Sequence, residues 1–285
     1  MDWSDVILLI LVVAILVLYI RLMLKNKRLR QMADEANRLR CEAEAAWQRN
    51  RQLKQEMTSN IAHELKTPVS SIRGYLEILL GDKPVDDERR RHYLQRSYSQ
   101  TLRLSDLIQD VSIINKLEES ADLFPRTEVD AYEVAKEAIN DLSDKATAAG
   151  ISFTNQLPAM PLQGNHELLY CIFRNLVENS IAYAGSGINI VLETYEPTKS
   201  ATHNPLPTTH YFIHYYDTGK GVPDEYLARL FDRFVRIGEG RSRADGGTGL
   251  GLSIVKHAVL FHGGEIYAKN RLEGGLEYFF SLKKQ

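Results

Sequence analysis

The chain has 285 residues, of which 44% are hydrophobic and 25% charged, an ordinary globular composition that excludes a disordered or low-complexity protein. The 35 Lys and Arg residues against 37 Asp and Glu residues give a net charge of −2, so no bulk basic character argues for direct nucleic-acid binding. Cys41 and Cys171 lie far apart in the sequence, so neither a disulfide framework nor a zinc site is implied.

An apolar run near the N-terminus predicts a single membrane-spanning helix. Residues 6–24 are apolar apart from Arg21, and their length suits a helix that crosses about 30 Å of hydrocarbon. The positive-inside rule places residues 1–5 outside as a short extracytoplasmic N-terminus and the rest of the chain in the cytoplasm. A cleaved signal peptide is the competing interpretation, but its positive charges would come first. Here the basic residues follow the run, at Lys25, Lys27, Arg28 and Arg30.

Heptad spacing predicts a coiled-coil linker over residues 25–57. Apolar or small residues recur at alternating spacings of three and four from Leu29 to Met57, as in a left-handed coiled coil. Several alanines and Asn50 make this seam thin, and a solvated helix rich in Arg and Glu is the alternative. Because a coiled coil needs a partner helix, a homodimer is the economical inference.

A helical hairpin is predicted for residues 58–120. His63 lies nearly opposite the apolar stripe of the first helix and is expected to point to solvent. Pro68 lacks an amide hydrogen, so the helix is expected to be weakened or bent beside His63. A second helix, capped by Asp86 or Asp87, ends near Ser120, and two such hairpins would form a four-helix bundle. The stripe consists of Ile61, Leu65, Ile72, Leu76 and Leu79.

Residues 127–285 alternate between helical and strand patterns, which predicts an α/β sandwich and makes the whole chain α+β. The segment at 196–209 contains three prolines and is predicted to be an irregular loop insertion. Helices are predicted at 132–149, 166–183 and 253–261, and strands at 151–156, 187–195, 210–217, 265–269 and 276–282.

Three local patterns within the sandwich are typical of nucleotide binding. Asn175 and Asn179 are spaced to share one helix face. The segment 217–221 ends a strand with an acidic residue and then has glycines that allow close backbone approach. The segment 247–252 opens a helix whose free amides favour phosphate, and the glycine-rich stretch 236–246 before it predicts a mobile lid. Each pattern is weak alone, and neither a Rossmann fingerprint nor a Walker loop is present.

Five motifs together resemble those of bacterial membrane-bound sensor histidine kinases of two-component systems, in the expected order. The resemblance covers roughly residues 50 to 285 and implies a HisKA dimerisation and phosphoacceptor domain at 58–120 and a HATPase_c ATP-binding domain at 127–285. One departure is Ala182, where the family often has Lys or Arg. The motifs are the H box at 59–68, the N box at 175–179, the two glycine boxes at 217–221 and 247–251, and the F box at 231–234.

The resemblance implies autophosphorylation of His63 by ATP and phosphoryl transfer to an aspartate on the receiver domain of a response regulator. Glu64 would act as general base or orient the imidazole, and Thr67 would support dephosphorylation of the regulator. ATP and Mg²⁺ are the implied cofactors, with Asp217 binding adenine and Asn179 binding the metal. The other implied nucleotide-binding residues are Asn175, Gly219, Gly221, Phe231, Phe234, Arg236, Gly247, Thr248, Gly249, Leu250 and Gly251.

The implied location is the bacterial cytoplasmic (inner) membrane, with the catalytic domains in the cytoplasm. One alternative is another ATPase of the same superfamily, which would lack the H-box hairpin. A second is a catalytically silent membrane scaffold that dimerises and docks a regulator, which would need a broken motif. The stimulus stays open between sensing in the bilayer, through a separate sensory membrane protein, and through the coiled coil.

Overall fold

The computed structural model describes residues 3–119, 123–196, 209–237 and 247–284, except the side chains of residues 3–14 and of a few other positions in the first helix. The chain divides into two compact units, Met1–Ser59 and Asn60–Gln285. Helix α1, Trp3–Leu80, begins in the first unit and continues into the second. The tip of the predicted loop insertion, 197–208, and most of the predicted lid, 238–246, lie outside the described residues.

The first unit consists of helix α1 up to Ser59. Seam positions of the predicted coiled coil are exposed in the single chain, with Met32 67% and Leu39 57% accessible. Their apolar surface is what a second helix would bury. In the described part of the chain, no helix is both long and apolar enough to cross a membrane. The predicted anchor at 6–24 falls largely on residues whose side chains lie outside that part.

The second unit begins with a helical hairpin formed by the end of α1 and by α2, Asp87–Glu119. Asp86 is the N-cap of α2, because its Oδ1 accepts a hydrogen bond from the Arg89 amide at 2.8 Å. Helix α1 continues through Pro68 to Leu80, so the proline does not end the helix. Exposed apolar side chains on both helices are surface that a partner hairpin would cover, and they include Val69, Leu76, Ile78, Leu94, Leu102 and Ile108.

The rest of the second unit is an α/β sandwich built on a five-stranded sheet in the order β2-β4-β5-β7-β6. Its neighbouring strands are antiparallel except β2 and β4, which are parallel. The strands of this sheet are β2 at Ser152–Asn155, β4 at Asn189–Thr194, β5 at His210–Asp217, β6 at Ile266–Asn270 and β7 at Leu276–Lys283. The helices are α3 at Ala131–Asp141, α4 at Ser143–Ala148, α5 at His166–Tyr183, α6 at Asp224–Leu227 and α7 at Gly251–Phe261.

Three features of the sandwich differ from the sequence-based expectation. The helix predicted at 132–149 is divided at Leu142, whose amide bonds back to the Ile139 carbonyl at 3.2 Å in a tighter turn. A separate antiparallel pair, β1 at Thr127–Asp130 and β3 at Pro161–Gly164, was not predicted. Helix α6 was not predicted either. Each of these strands, like α6, has only four residues, too few for a clear hydrophobic period.

The core of the sandwich lies between the sheet and helix α5. Phe173 of α5 contacts Phe280 of β7 at a ring distance of 6.2 Å, and both side chains are fully buried or nearly so. Tyr215 and Tyr278, on the neighbouring strands β5 and β7, point into the same core with their rings 5.8 Å apart. These contacts bring the end of β5 close to α5, and that junction carries the polar residues described below.

His262 joins the C-terminal end of α7 to the N-terminal end of α5. Its Nδ1 lies 2.7 Å from the Ala258 carbonyl, so that nitrogen carries the hydrogen, and its Nε2 accepts a hydrogen bond from the Asn165 amide at 3.1 Å. Asn165 in turn caps α5 by accepting a hydrogen bond from the Leu168 amide at 3.0 Å. His262 is only 2% exposed, and burial lowers the pKa of its imidazole to about 4.

We expect His262 to make folding sensitive to acid. Its folded-state pKa lies below the ordinary value of 6.5, so its stabilising effect is complete above pH 6.5 and is lost as pH falls towards 4. Linkage predicts a loss of about 3 kcal/mol in unfolding free energy from this residue. Chemical denaturation at pH values between 7 and 4 measures the slope of the unfolding free energy against pH. His262→Gln should flatten that slope, and the control His166→Gln, at an exposed histidine, should retain it. An unchanged slope in His262→Gln would contradict the assignment.

Candidate active site

Asp217 ends β5 and forms the buried floor of the site. Its carboxylate is only 3% exposed and accepts hydrogen bonds from the Gly219 amide at 2.9 Å and the Leu276 amide at 3.3 Å. The Ser180 hydroxyl donates to its other oxygen at 3.0 Å. Three donors therefore fix the direction of this carboxylate before any ligand binds.

Two glycines allow the backbone to close around Asp217. Gly275 has φ +101°, and a Cβ built there would lie 1.9 Å from the Asp217 carbonyl oxygen. A Cβ on Gly219 would lie 2.4 Å from the Ala184 carbonyl oxygen. Neither position accommodates a side chain without moving the main chain, so the loop after β5 is shaped by glycine.

The two asparagines of α5 face the same region but bond differently. Asn179 donates its Nδ2 hydrogen to the Tyr278 hydroxyl at 2.8 Å. Asn175 donates its Nδ2 hydrogen back to the Cys171 carbonyl of its own helix at 2.8 Å. The Asn175 Oδ1 lies beside Gly251, where a built Cβ would come within 2.5 Å of it. The start of α7 therefore packs directly against this face of α5.

The second glycine segment and the F-box segment contact each other at the start of α7. Phe234 has φ +61°, and its amide donates to the Gly249 carbonyl at 2.8 Å. A Cβ on Gly249, which has φ +73°, would lie 3.0 Å from the Phe234 Cα. Leu250 is fully buried, and the Thr248 hydroxyl accepts from its amide at 3.2 Å. The amides at this helix start suit an anionic ligand.

Carboxylates of the hairpin contact one described residue before the stretch 238–246 in the sequence and one described residue after it. On one side, Glu64 Oε1 lies 3.4 Å from Arg236 Nη1, while Glu64 Oε2 lies 3.3 Å from Arg103. On the other, the Thr248 hydroxyl donates to Asp110 at 2.8 Å. Burial raises the pKa of Asp110 to about 6, and the Thr248 hydrogen bond opposes that increase. A further ion pair joins Arg233 to Glu118.

His63 is exposed on α1, as the sequence predicts. Its carbonyl accepts the Thr67 hydroxyl at 3.3 Å, but its imidazole makes no hydrogen bond to any residue that the structure describes. Several predicted residues do meet: Asp217 with Gly219, Asn175 with Gly251, Phe234 with Gly249, and Glu64 with Arg236.

Three polar residues of the site were missed by the sequence analysis. Ser180 directly follows Asn179, and that position was the one available signal for it. Tyr278 lies in an apolar strand, and Asp110 on an amphipathic helix, with no motif around either. Among the remaining predicted residues, Gly221 has φ +68° and lies beside Asn270, Gly247 lies beside the Tyr183 hydroxyl, and the Phe231 ring is 6.3 Å from that of Tyr278.

These features define a class of protein that binds a nucleotide and transfers a phosphoryl group. The sandwich has a buried carboxylate, glycine-shaped loops and a helix start, and the hairpin exposes a histidine. Comparison with known families agrees. Residues 164–285 match the family described as histidine kinase-, DNA gyrase B- and HSP90-like ATPase, and residues 53–120 match the His Kinase A (phospho-acceptor) domain. The chain therefore combines these two domains, and it is similar to named sensor histidine kinases.

Individual relatives support the same assignment. The chain is 32% identical over 214 residues to the sensor-like histidine kinase SenX3 of Mycolicibacterium smegmatis, covering 75% of this chain and 53% of SenX3. It is 33% identical over 219 residues to the phosphate regulon sensor protein PhoR of Pseudomonas aeruginosa, covering 74% of this chain and 46% of PhoR. The chain thus spans about half the length of these relatives. The histidine kinase ThkA, solved with the response regulator TrrA, shares the fold at a TM-score of 0.59 and 22% identity, covering 81% of this chain and 61% of ThkA.

Proposed function

We propose that this protein is a histidine kinase that transfers the γ-phosphoryl group of ATP to His63 and then to an aspartate on the receiver domain of a response regulator. The observation that carries the proposal is the exposed His63 within a phosphoacceptor hairpin that belongs to the same compact unit as the Asp217 site. A silent scaffold is not favoured, because the nucleophile, the buried carboxylate and the glycine-shaped loops are all intact.

ATP occupies the sandwich with its adenine against Asp217. A carboxylate held by three donors is a fixed acceptor for the adenine amino group. The backbone amides at the start of α7 bind phosphate. Two nitrogens of the Arg236 guanidinium, Nε and Nη2, are buried without a partner among the described residues, which supports a role in neutralising phosphate. The sides of this site are formed by Asn175, Phe231 and Phe234.

Mg²⁺ fits the donor set that α5 presents. The Asn179 carboxamide has an oxygen of the hard type that this ion prefers, and the ion keeps most of its other positions for phosphate and water. When bound, Mg²⁺ supplies neutralisation of charge on the phosphates. Among the described residues no cluster of three or more His, Cys, Asp or Glu side chains could hold a metal ion.

His63 acts as the nucleophile through its neutral imidazole. One ring nitrogen attacks the γ-phosphorus, the bond from that phosphorus to the bridging oxygen breaks, and ADP leaves. The proton on the other ring nitrogen passes to the adjacent carboxylate of Glu64, or it stays on the ring and Glu64 orients the imidazole. Transfer to the regulator then regenerates free His63.

Thr67 supports the opposing activity, in which water hydrolyses the aspartyl phosphate of the regulator and inorganic phosphate is released. Its hydroxyl lies on the His63 turn of α1, where it donates to the His63 carbonyl and can turn to hold a water. We expect Thr67→Ala to slow regulator dephosphorylation by about tenfold with little change in kinase rate. Equal dephosphorylation rates for both proteins would remove the phosphatase activity from the proposal.

The segments take the following roles in the proposed molecule. Residues 1–5 are extracytoplasmic, 6–24 cross the bacterial cytoplasmic membrane, 25–57 form a signalling coiled coil, 58–120 dimerise and carry the phosphate, and 127–285 bind ATP. Exposed apolar seams on α1 and α2 support a homodimer. A separate membrane protein is one route by which a signal could arrive. A reporter fused after residue 30 that appeared as soluble product would contradict the anchor.

The test is incubation of the full chain, in membranes or detergent, with [γ-³²P]ATP and Mg²⁺. A phosphohistidine is labile in acid and stable in alkali, and that signature is the expected result. Asn179→Ala should lose the label because it removes the metal ligand, whereas an exposed amide on the same sandwich, replaced as Asn140→Ala, should retain it. Absence of both label and ATP binding in the unmodified chain would restore the scaffold alternative.

A further inference from the structure

The Asn179 carboxamide has two ends with opposite chemistry, and only its oxygen can bind a metal ion. An asparagine side chain can turn about its terminal bond, so either the oxygen or the NH₂ group can face a ligand. In the structure one of these ends, the NH₂ group, is bonded to a buried hydroxyl. The Asn179 Nδ2 hydrogen is donated to the Tyr278 hydroxyl at 2.8 Å.

The Tyr278 hydroxyl is a rigid reference point. Its side chain is fully buried in β7, an interior strand between β5 and β6. Its ring packs edge-on against Tyr215, at 5.8 Å and 64°, and against Phe231, at 6.3 Å and 71°. Burial also raises the pKa of Tyr278 well above its ordinary value, so the hydroxyl stays neutral, and it accepts the Asn179 hydrogen through one of its lone pairs. A ring held on several sides fixes its hydroxyl to one position.

The hydrogen bond determines where the Asn179 oxygen points. Nδ2 and Oδ1 are on opposite branches of the planar amide, so the oxygen faces away from Tyr278. Among the residues that the structure describes, none donates a hydrogen bond to that oxygen. Asn175, one turn earlier on α5, differs because its amide is committed to the Cys171 carbonyl of its own helix.

We propose that Tyr278 is a positioning residue that orients the Asn179 carboxamide oxygen for the Mg²⁺ of a bound Mg–nucleotide complex. The inference rests on the proposed function, because it assumes that Asn179 binds the metal. Without the hydroxyl, Nδ2 loses its partner and the amide can turn its NH₂ group towards the ion, which is not a ligand for Mg²⁺. Tyr278 therefore acts on metal-dependent binding and leaves the adenine contacts at Asp217 in place.

The experiment compares nucleotide affinity with and without metal in the full chain. Isothermal titration with a non-hydrolysable ATP analogue is carried out in Mg²⁺ and again in EDTA. For Tyr278→Phe, which removes one hydroxyl, we expect about tenfold weaker affinity in Mg²⁺, the worth of one oriented polar contact. In EDTA we expect the same affinity as the unmodified protein.

The matched control is Tyr215→Phe. Tyr215 is also fully buried, and its substitution by Phe also removes one hydroxyl. That hydroxyl lies 3.0 Å from the hydroxyl of Ser180, which bonds to Asp217. We expect it to weaken affinity equally in Mg²⁺ and in EDTA, through the adenine side of the site. If Tyr278→Phe behaves in that way, or leaves both affinities unchanged, the positioning role is overturned.

A second pair of variants tests orientation itself. In Asn179→Asp both ends of the side chain are oxygens, so a flip has no consequence for the metal. Adding Tyr278→Phe to Asn179→Asp should therefore leave unchanged the ratio of the affinity in Mg²⁺ to the affinity in EDTA. A further tenfold loss of affinity in Mg²⁺ would contradict the inference. The proposed function fails separately: an unmodified chain that binds no nucleotide in either condition would remove both claims, whereas binding without an effect of Tyr278→Phe would remove only this one.

Discussion

Replacing His63 with glutamine is expected to abolish phosphoryl incorporation completely while leaving ATP affinity within about twofold of the unmodified protein. The imidazole is exposed and makes no hydrogen bond to any described residue, so the change leaves folding contacts intact. It removes the one nitrogen nucleophile beside Glu64, and an amide cannot replace it because its lone pair is delocalised. The measurement is radiolabelling from [γ-³²P]ATP, with nucleotide titration on the same samples.

The matched control for His63 is His92→Gln, at another exposed histidine of the hairpin. Both variants remove one surface imidazole from the same two-helix element. We expect His92→Gln to incorporate label at the rate of the unmodified chain. Equal labelling of the two variants would mean that the phosphate is carried elsewhere.

Asp217→Asn is expected to weaken ATP binding by about 100-fold, which corresponds to about 3 kcal/mol. The substitution places an NH₂ group against the donors that now converge on the carboxylate from Gly219, Leu276 and Ser180. If the amide oxygen keeps the Gly219 and Leu276 amides, the NH₂ group takes the other branch and the acceptor for adenine is lost. In the opposite orientation the NH₂ group faces those two amide donors in a site that is only 3% exposed. Isothermal titration measures the affinity, and a thermal melt reports the accompanying loss of stability.

The control for Asp217 is Asp144→Asn, at an exposed carboxylate in α4 that lies outside the nucleotide-binding motifs. Exposed charges of this kind contribute little to stability or binding. We expect its ATP affinity to match that of the unmodified chain. An Asp217→Asn protein that bound ATP as tightly as the Asp144→Asn protein would show that adenine is recognised by other groups.

Elements with a strong hydrophobic period were predictable from the sequence. The predicted helix 166–183 and strand 210–217 have the bounds of α5 and β5. Core positions recur with the helical period in α5 and alternate with less buried positions along β5. The paired strands β1 and β3 were missed. One of them begins with Pro161 and ends with Gly164, both rare inside strands, and it forms through pairing with a distant partner.

The candidate site was predictable where function requires a residue type at a fixed local spacing. Glycines that must adopt positive φ, the i, i+4 asparagines and the histidine opposite an apolar stripe all follow from short-range rules. Those rules single out Asn179, Gly249 and His63 as candidates, and the acidic residue at a strand end adds Asp217. They do not state which atoms of these side chains meet which partners.

The sequence by itself determined the longer helices and strands in their order, the solvent-facing histidine and the family of the ATP-binding half, because those properties are encoded in short-range patterns. Only the tertiary structure decided that Asn179 bonds to Tyr278, that Thr248 bonds to Asp110 and that Glu64 lies beside Arg236. These pairs are separated by 99, 138 and 172 residues respectively. No local pattern specifies such contacts, since each depends on how a strand, a helix and the hairpin pack together.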